Sequence, residues 1–579
     1  MHPLTSIPFP NRPAPLPASP TAQPGAGAER RGWHRVAGLS LIAALAFGLA
    51  ACGGDPAAEA PAPVPPQSAK FTLELSADKL VLNQASLGTL RVTVTRAAGF
   101  TEAVSVDLSG LPEGVIAAPV IVAAGATSAD ITLAAGAMAP HSLPTQAKAT
   151  GHAAGETAQR SLTVTVRGLA GALDTSFAGG KVITPVGTGE DYAKAVAVQA
   201  DGKVVVAGSS AVVGGTRLSL VRYQRDGALD AGFGNGGKVL VSVGARGNDA
   251  ANAVAVQADG KIVVAGASDQ GASGLDFVLL RFNADGTPDA GFGNGGQAIT
   301  DFGSDSDRAW AVLVMADGKI VVGGETNSGV TSGGTDFAVA RYRPDGTLDA
   351  GFGQGGRVVT AVKSATGTDI VRALAVQIVR GGERLLAVGG EGDFLAVRYT
   401  SAGALDASFG VNGKVVGLFN ANIGAAHAVT VLPTGEAVLA GHIGHNFAAV
   451  QLTEDGLLDN RFGSGASGRF LHAVSESNWD EATTIVRQAD GKLLLGGWVY
   501  SGNSSAGDFV ALRLTADGMR DADFGTNGIS IVPMAEGTRN DQGRAMVLQA
   551  DDRIPSVRAL IAGEAGGSNH DFALARLWL

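Results

Sequence analysis

The stretch Val256–Gly266 reads VQADGKIVVAG, and near-copies stand at Val198–Gly208, Val314–Gly324 and Arg487–Gly497. A second marker, Leu-Asp-x-x-Phe-Gly in full or near form, recurs at Phe177, Phe233, Phe292, Phe352, Phe409, Phe462 and Phe524. The gaps between these phenylalanines are 56, 59, 60, 57, 53 and 62 residues. A period in this range restricts a chain to a solenoid, a propeller or an array of small units. Each period holds four short strand candidates. In one copy strand A is AVAVQA (Ala253–Ala258), strand B is KIVVAG (Lys261–Gly266), strand C is DFVLLRF (Asp276–Phe282), and strand D follows the marker. Asp-Gly pairs join A to B and end C, and Asp-Gly between strand-like runs signals a tight turn. Four antiparallel strands repeated seven times predict a β-propeller.

The first strand after residue 171, KVITPV (Lys181–Val186), has the pattern of a D strand, and the last, DFALARLWL (Asp571–Leu579), that of a C strand. The expected arrangement over 171–579 is therefore seven blades with mixed-blade closure, the early D strand completing the last blade and hiding two sheet edges. The motifs LDxxFGxxGKV, AVxxQxDGKIxVxG and DFxxxRYxxDG resemble the delta-60 repeat family of secreted bacterial proteins. That resemblance implies a propeller and carries no general activity. At a looser level the A–B pattern is also similar to NHL-type propellers.

Residues 70–168 read differently. FTLELS, LRVTVTR, AVSVDLSG, ADITLAA and RSLTVTVR alternate partly with period two. About seven strands in about 100 residues fit a β-sandwich. VDLSGLPEGV (Val106–Val115) resembles a strand and corner of bacterial immunoglobulin-like surface domains, for which a stalk role is expected. The fold class is thus all-β: an N-terminal immunoglobulin-like β-sandwich followed by a seven-bladed β-propeller.

Ahead of the sandwich, Arg30, Arg31 and Arg35 precede the apolar run Val36–Ala51 and then Cys52, the single cysteine. A basic patch, a short apolar run and small residues make a secretory signal. The end Leu49-Ala50-Ala51-Cys52 resembles the bacterial lipobox. The resemblance implies that 1–51 is a leader and signal peptide and that Cys52 is lipidated and anchored in the membrane. Gly53 in place of Asp implies outer-membrane or surface anchoring in the cell envelope. Residues 52–69 are rich in Pro and Ala and read as an extended tether. A formal net charge of −10 without a basic block argues against nucleic acid as a partner.

Positions repeated in every unit are expected to serve the scaffold. The marker acids Asp174, Asp230, Asp289, Asp349, Asp406, Asp459 and Asp521 are expected to accept backbone N–H bonds in the C–D turn. Arg222, Arg281, Arg341, Arg398, Arg513 and Arg576 end C strands, while Asp276, Asp336, Asp393, Asp508 and Asp571 begin them, so Arg–Asp pairing between strands or blades is expected. A further repeated set, Asp191, Asp249, Asp307, Asp369, Asp480 and Asp541, enters strand A. These acids either ring one mouth of the channel, where they suit Ca²⁺, or cap the D–A loop through local backbone hydrogen bonds.

The fifth unit departs most. Gly424 takes the acid position and Gln451 the Arg position, and His427, His442 and His445 appear on the side of the long D–A and B–C loops. Three imidazoles suit Zn²⁺, although no carboxylate close in sequence completes the set. Trp479, Trp498 and Tyr500 of the next unit, placed in loops of the same face, either stack on a sugar or pack between blades. No nucleophile-elbow, HExxH or P-loop motif occurs. The leading expectation is a non-enzymatic, lipid-anchored platform that binds a protein or glycan on the variable-loop face. The alternative is a metal-dependent hydrolase or lyase at the channel mouth, and a purely structural envelope role reads the same in sequence.

Overall fold

The computed structural model describes residues 7–8 and 69–579, apart from 138, 143, 245, 272, 304–305, 328–333, 364–366, 476–478, 501–506, 536–539, 552–555 and 567–568. Apart from residues 7–8, the leader lies outside the described residues, as do Cys52 and nearly all of the tether. The described chain is all-β, with two single-turn 3₁₀ segments at Ala178–Gly180 and Ser464–Ala466. No helix among the described residues is long and apolar enough to cross a membrane.

Residues 71–167 form two sheets. One runs Lys79–Asn83, Glu156–Arg167, Thr145–Ala153, Val104–Ser109 and Val120–Val122; the other runs Phe71–Leu75, Leu87–Arg96, Ser128–Ala135 and Val115–Ala117. Nine strands are present where the sequence suggested about seven, because two three-residue strands follow the LPEG corner. Alternation along each strand turns Leu90, Val92, Val94, Ile131, Leu133, Leu162 and Val164 into one shared core. The Trp578 indole joins this unit to the rest of the chain. It packs beside His141, with ring centroids 5.5 Å apart, and its backbone carbonyl accepts the Gly171 N–H at 2.8 Å.

Beyond residue 180 the repeated text becomes seven four-stranded antiparallel sheets, each in the order A-B-C-D. One of them also pairs Ile7–Pro8 with Val241–Ser242. The A strands are Asp191–Val198, Asp249–Val256, Asp307–Val314, Val371–Val379, Gly424–Val431, Asp480–Arg487 and Gln542–Asp551. Each A strand touches the next, and the seventh touches the first, so together they surround an axis. The seventh sheet takes its fourth strand from the other end of the chain: Lys181–Thr184 pairs with Phe572–Ala575.

Each residue of the repeated phrase has a physical task. Its Asp (Asp201, Asp259, Asp317, Asp490) accepts the backbone N–H two residues on, at 3.1 Å, which closes the A–B turn. Its Lys reaches the marker carboxylate of its own sheet, as in Lys261–Asp289 at 2.8 Å and Lys492–Asp521 at 2.8 Å. Its Gln reaches the turn glycine of the neighbouring sheet: Gln377 Nε2 donates to the Gly435 carbonyl at 2.6 Å, and Gln549 Nε2 to that of Gly202 at 2.7 Å across the chain ends.

The arginines that end the C strands pair with the marker acids, not with the acids that begin the C strands. Arg222–Asp230, Arg281–Asp289, Arg341–Asp349, Arg398–Asp406 and Arg513–Asp521 lie at 2.7–2.9 Å. The tight C–D turn brings the marker, eight residues on, back beside the strand end, whereas the first C residue sits at the opposite end of the sheet. The other carboxylate oxygen of each marker accepts a backbone N–H in the turn, as expected. The guanidinium also stacks over the marker Phe, at 4.4 Å for Arg281 over Phe292, and donates to a turn carbonyl of the next sheet, Pro344. That Phe lies against the turn glycine of the next sheet, where a Cβ on Gly346 would fall 2.9 Å from the Phe292 ring. At the chain ends Asp174 receives Arg558 and Arg576, at 3.1 and 2.9 Å, and so serves as marker for the seventh sheet.

Candidate functional site

One irregularity recurs in all seven A–B pairs. Register slips by one residue at Lys194, Asn252, Trp310, Arg372, His427, Thr483 and Arg544, each a single-residue β-bulge. The final glycine of the phrase makes this geometry accessible. At Gly208, Gly266, Gly324, Gly389, Gly441, Gly497 and Gly563 an added Cβ would overlap the carbonyl oxygen of the facing A strand, two residues before the bulge. A bulge bends its strand and re-aims the extra side chain. The repeated glycine thus fixes where seven unlike side chains stand, and all seven are half-buried.

These side chains converge electrostatically. Burial pushes the Lys194 ammonium down, and Glu564 of the adjacent sheet and Glu481 of the sheet beyond pull it back up. Burial lowers Arg372 as well, and Glu391, Glu481 and Glu325 oppose it. Groups that couple across non-adjacent sheets share one space around the axis. Three cations (Lys194, Arg372, Arg544) and three carboxylates (Glu325, Glu481, Glu564) meet there. Arg544 pairs with Glu564 at 2.8 Å, and Trp310 Nε1 donates to Glu325 at 3.2 Å.

Within this ring the fifth and sixth sheets build a distinct cluster. His427 stands on the bulge of strand A, His442 on the adjoining strand B (Ala437–Ile443), and Glu481 on the next strand A. His427 Nε2 lies 3.0 Å from Glu481 Oε1 and 3.1 Å from His442 Nδ1, with the two imidazoles stacked at 5.2 Å and 21°. Burial lowers the pKa of both histidines, His442 to about 4. Burial would raise Glu481, but the hydrogen bond from His427 and the neighbouring positive charge, Arg544 included, hold it down to about 2. The cluster opens on a cleft of about 360 Å³ lined also by Arg372, Glu391 and Asn422. A larger cleft, about 670 Å³, lies against strand D of the third sheet (Arg357–Thr360) and carries no comparable cluster.

The histidine expectation needs three corrections. A carboxylate does complete the pair: Glu481, 54 positions from His427 in sequence, reaches it because the A strands are neighbours around the axis. His445 stands outside the cluster, in the B–C turn, where its ring meets Trp479 edge-on at 4.4 Å. His442 lies in strand B rather than in a loop. Trp498 and Tyr500 likewise lie in strand B (Leu493–Tyr500), where Trp498 is 6% exposed and packs edge-on against Tyr500 at 5.0 Å. Trp479 alone of the three aromatics is open to solvent, at 36%, with its ring 6.0 Å from His442.

Asp191, Asp249, Asp307, Asp369, Asp480 and Asp541 are at most 1% exposed, so they present no ring of charge to the channel. Each folds back on the loop before it. Asp191 accepts the Val186 and Gly187 N–H groups, Asp249 those of Val243 and Gly244, and Asp307 that of Phe302. Asp369 accepts those of Val362 and Lys363, Asp480 those of Val474 and Ser475, and Asp541 those of Met534 and Ala535. The loop-capping alternative is the one realised. Among the described residues, only Asp307 of this set joins a group of carboxylates, with Asp276 and Asp301.

Five segments match one protein-family model, described as a domain of unknown function (DUF5122) beta-propeller: 199–233, 257–292, 316–352, 377–409 and 488–524. Each runs from the start of the A–B turn to the marker Phe. No curated protein matches the chain. Among solved structures, a DUF4784 family protein from Bacteroides caccae is similar at 11% identity and a TM-score of 0.20, covering 86% of this chain and 95% of its own. Domains 4–9 of the surface layer protein SbsC are similar at 10% identity and a TM-score of 0.13, covering 88% and 82%. Scores this low carry no argument about fold or function. With five repeats matched and one sheet pattern recurring around an axis, the chain is a β-propeller repeat protein.

Proposed function

We propose that this is a cell-envelope protein, lipid-anchored through Cys52 at the outer membrane, that presents a seven-bladed propeller on an immunoglobulin-like stalk. In this reading Lys181–Thr184 closes the last blade, and the axis mouth binds a protein or glycan partner without turnover. One observation carries it: the positions that differ between repeats gather at the bulges around the axis, while the repeated positions between them are buried in the scaffold. A mouth with cations and carboxylates interleaved suits a polar ligand, and the exposed Trp479 beside it offers a face for a sugar ring. The test compares wild type with a Lys194→Ala/Arg372→Ala/Arg544→Ala variant against a panel of envelope glycans and purified envelope proteins. A ligand held by wild type and weakened at least tenfold in a variant of unchanged melting temperature supports the reading; equal binding contradicts it. Cys52→Ala should move the protein from the membrane fraction to the soluble fraction. A second reading, a metal-dependent hydrolase or lyase at the same mouth, draws on the carboxylate beside the histidine pair.

A further inference from the structure

The contacts of His427 set a chemical problem. An sp² ring nitrogen has one in-plane site, which either carries a proton and donates or holds a lone pair and accepts. Two acceptor-capable atoms, Glu481 Oε1 at 3.0 Å and His442 Nδ1 at 3.1 Å, close on that one site of Nε2. If Nε2 donates to Glu481, it cannot also accept from His442. If it accepts from His442, its lone pair faces a carboxylate. The most a tautomer offers is one N–H divided between the two as a three-centre bond, weaker to each than a full hydrogen bond. A cation bound by all three groups satisfies both.

We infer that His427 Nε2, His442 Nδ1 and the Glu481 carboxylate form a three-ligand Zn²⁺ site whose fourth position opens on the axis cleft. Ligands 2.0–2.1 Å from a tetrahedral zinc stand about 3.3 Å apart, close to the two separations here. The three ligand atoms all lie within 4.8 Å of one another. Two imidazoles and one carboxylate are a donor set that zinc accepts, and three protein ligands with one open position are the pattern of sites that bind an exogenous ligand. The fourth position faces Arg372, which lines the same cleft and whose buried Nε has no hydrogen-bond partner among the described residues. A carboxylate or phosphate oxygen on the metal would meet that donor, so the ligand class assigned is a small oxyanion or an acidic group of a larger partner. The inference stands on these side chains and does not rest on the platform reading.

The test uses the full chain, stripped with chelator and titrated calorimetrically with Zn²⁺. Co²⁺ serves as a spectroscopic probe, because tetrahedral cobalt absorbs far more strongly in the visible than octahedral cobalt. The expected result is one zinc per chain, intense Co²⁺ bands, and binding weakened at least about 100-fold in both His427→Ala and Glu481→Gln, since losing a ligand exceeds the effect of losing a supporting group. His445→Ala should bind like wild type. Glu481→Gln is nearly isosteric, so an unchanged metal-free melting temperature separates ligand loss from misfolding; should His427→Ala fail to fold, Glu481→Gln alone decides. Arg372→Ala should keep zinc but weaken phosphate binding to the loaded protein. The inference is overturned if wild type takes up no stoichiometric zinc, or if Glu481→Gln binds as tightly as wild type.

Discussion

At the scale of single residues, the glycine that ends each A–B hairpin has the widest influence. Gly441 is pressed against the Ala425 carbonyl of the strand that carries His427, leaving no room for a Cβ. Gly441→Ala must push the strands apart or unfold the bulge. It should cost about 2–4 kcal/mol of stability, as overpacking at a rigid backbone contact does. Urea denaturation checks this, with Ala440→Gly as a neighbouring comparison. The sequence displayed these glycines plainly as part of a phrase but not their purpose. A glycine that ends a strand and one that admits a bulge are written alike, and only the register slip at the facing residue tells them apart. Glu481 was hidden for a related reason. It follows Asp480, a repeated scaffold acid, and its closeness to His427 depends on two A strands from successive repeats standing side by side.

At the scale of the element, the C–D turn is a small electrostatic unit: one arginine, one lysine, one marker carboxylate and one phenylalanine. The fifth sheet shows that the marker carboxylate keeps a cationic partner while the residue identities change. There Gln451 replaces the arginine and Glu436 the lysine, and Arg461 supplies the missing charge to both Asp459 and Glu436 at 2.7 and 3.2 Å. Arg341→Met leaves the buried Asp349 carboxylate with only the more distant Lys319, at 3.8 Å, and should cost about 3 kcal/mol, read as a lowered denaturation midpoint. The turn acids also predict a pH dependence. Asp349 is shifted down from 3.8: burial opposes the shift, and the turn N–H and Arg341 outweigh it. Its folded pKa lies below its unfolded one, so its stabilisation is complete above about pH 4 and is lost as pH falls through the folded value. The stability gap between wild type and Asp349→Asn should therefore be constant from pH 7 to about 4 and close towards pH 2. A gap that widens on acidification would contradict this. That the marker is structural was legible from repetition. Which arginine it meets was not, because spacing along a strand does not reveal how a tight turn folds the next segment back.

At the scale of the whole molecule, the chain ends are joined through the seventh sheet. Lys181–Thr184 pairs with the C-terminal strand, Asp174 takes two arginines, Arg558 and Arg576, from the far end of the repeats, and Gln549 bonds Gly202. Replacing Val182 and Ile183 with proline removes two backbone donors from this strand. It should expose the edge of Asp571–Trp578, lower the melting temperature by several degrees and turn a monodisperse protein into one that associates in light scattering. The strand inventory and this pairing could be read from the two orphan strands in the sequence. The axis could not, since side chains at one position of seven separate repeats become neighbours only once the sheets are arranged around it.

We propose that these bulge-placed, unlike residues at the axis are where the protein meets its ligands. Anomalous diffraction at the zinc edge from zinc-loaded crystals tests it most directly. The expected result is one full-occupancy peak about 2.1 Å from His427 Nε2, His442 Nδ1 and Glu481. A loaded crystal whose zinc sits elsewhere, with these three side chains unligated, would contradict it.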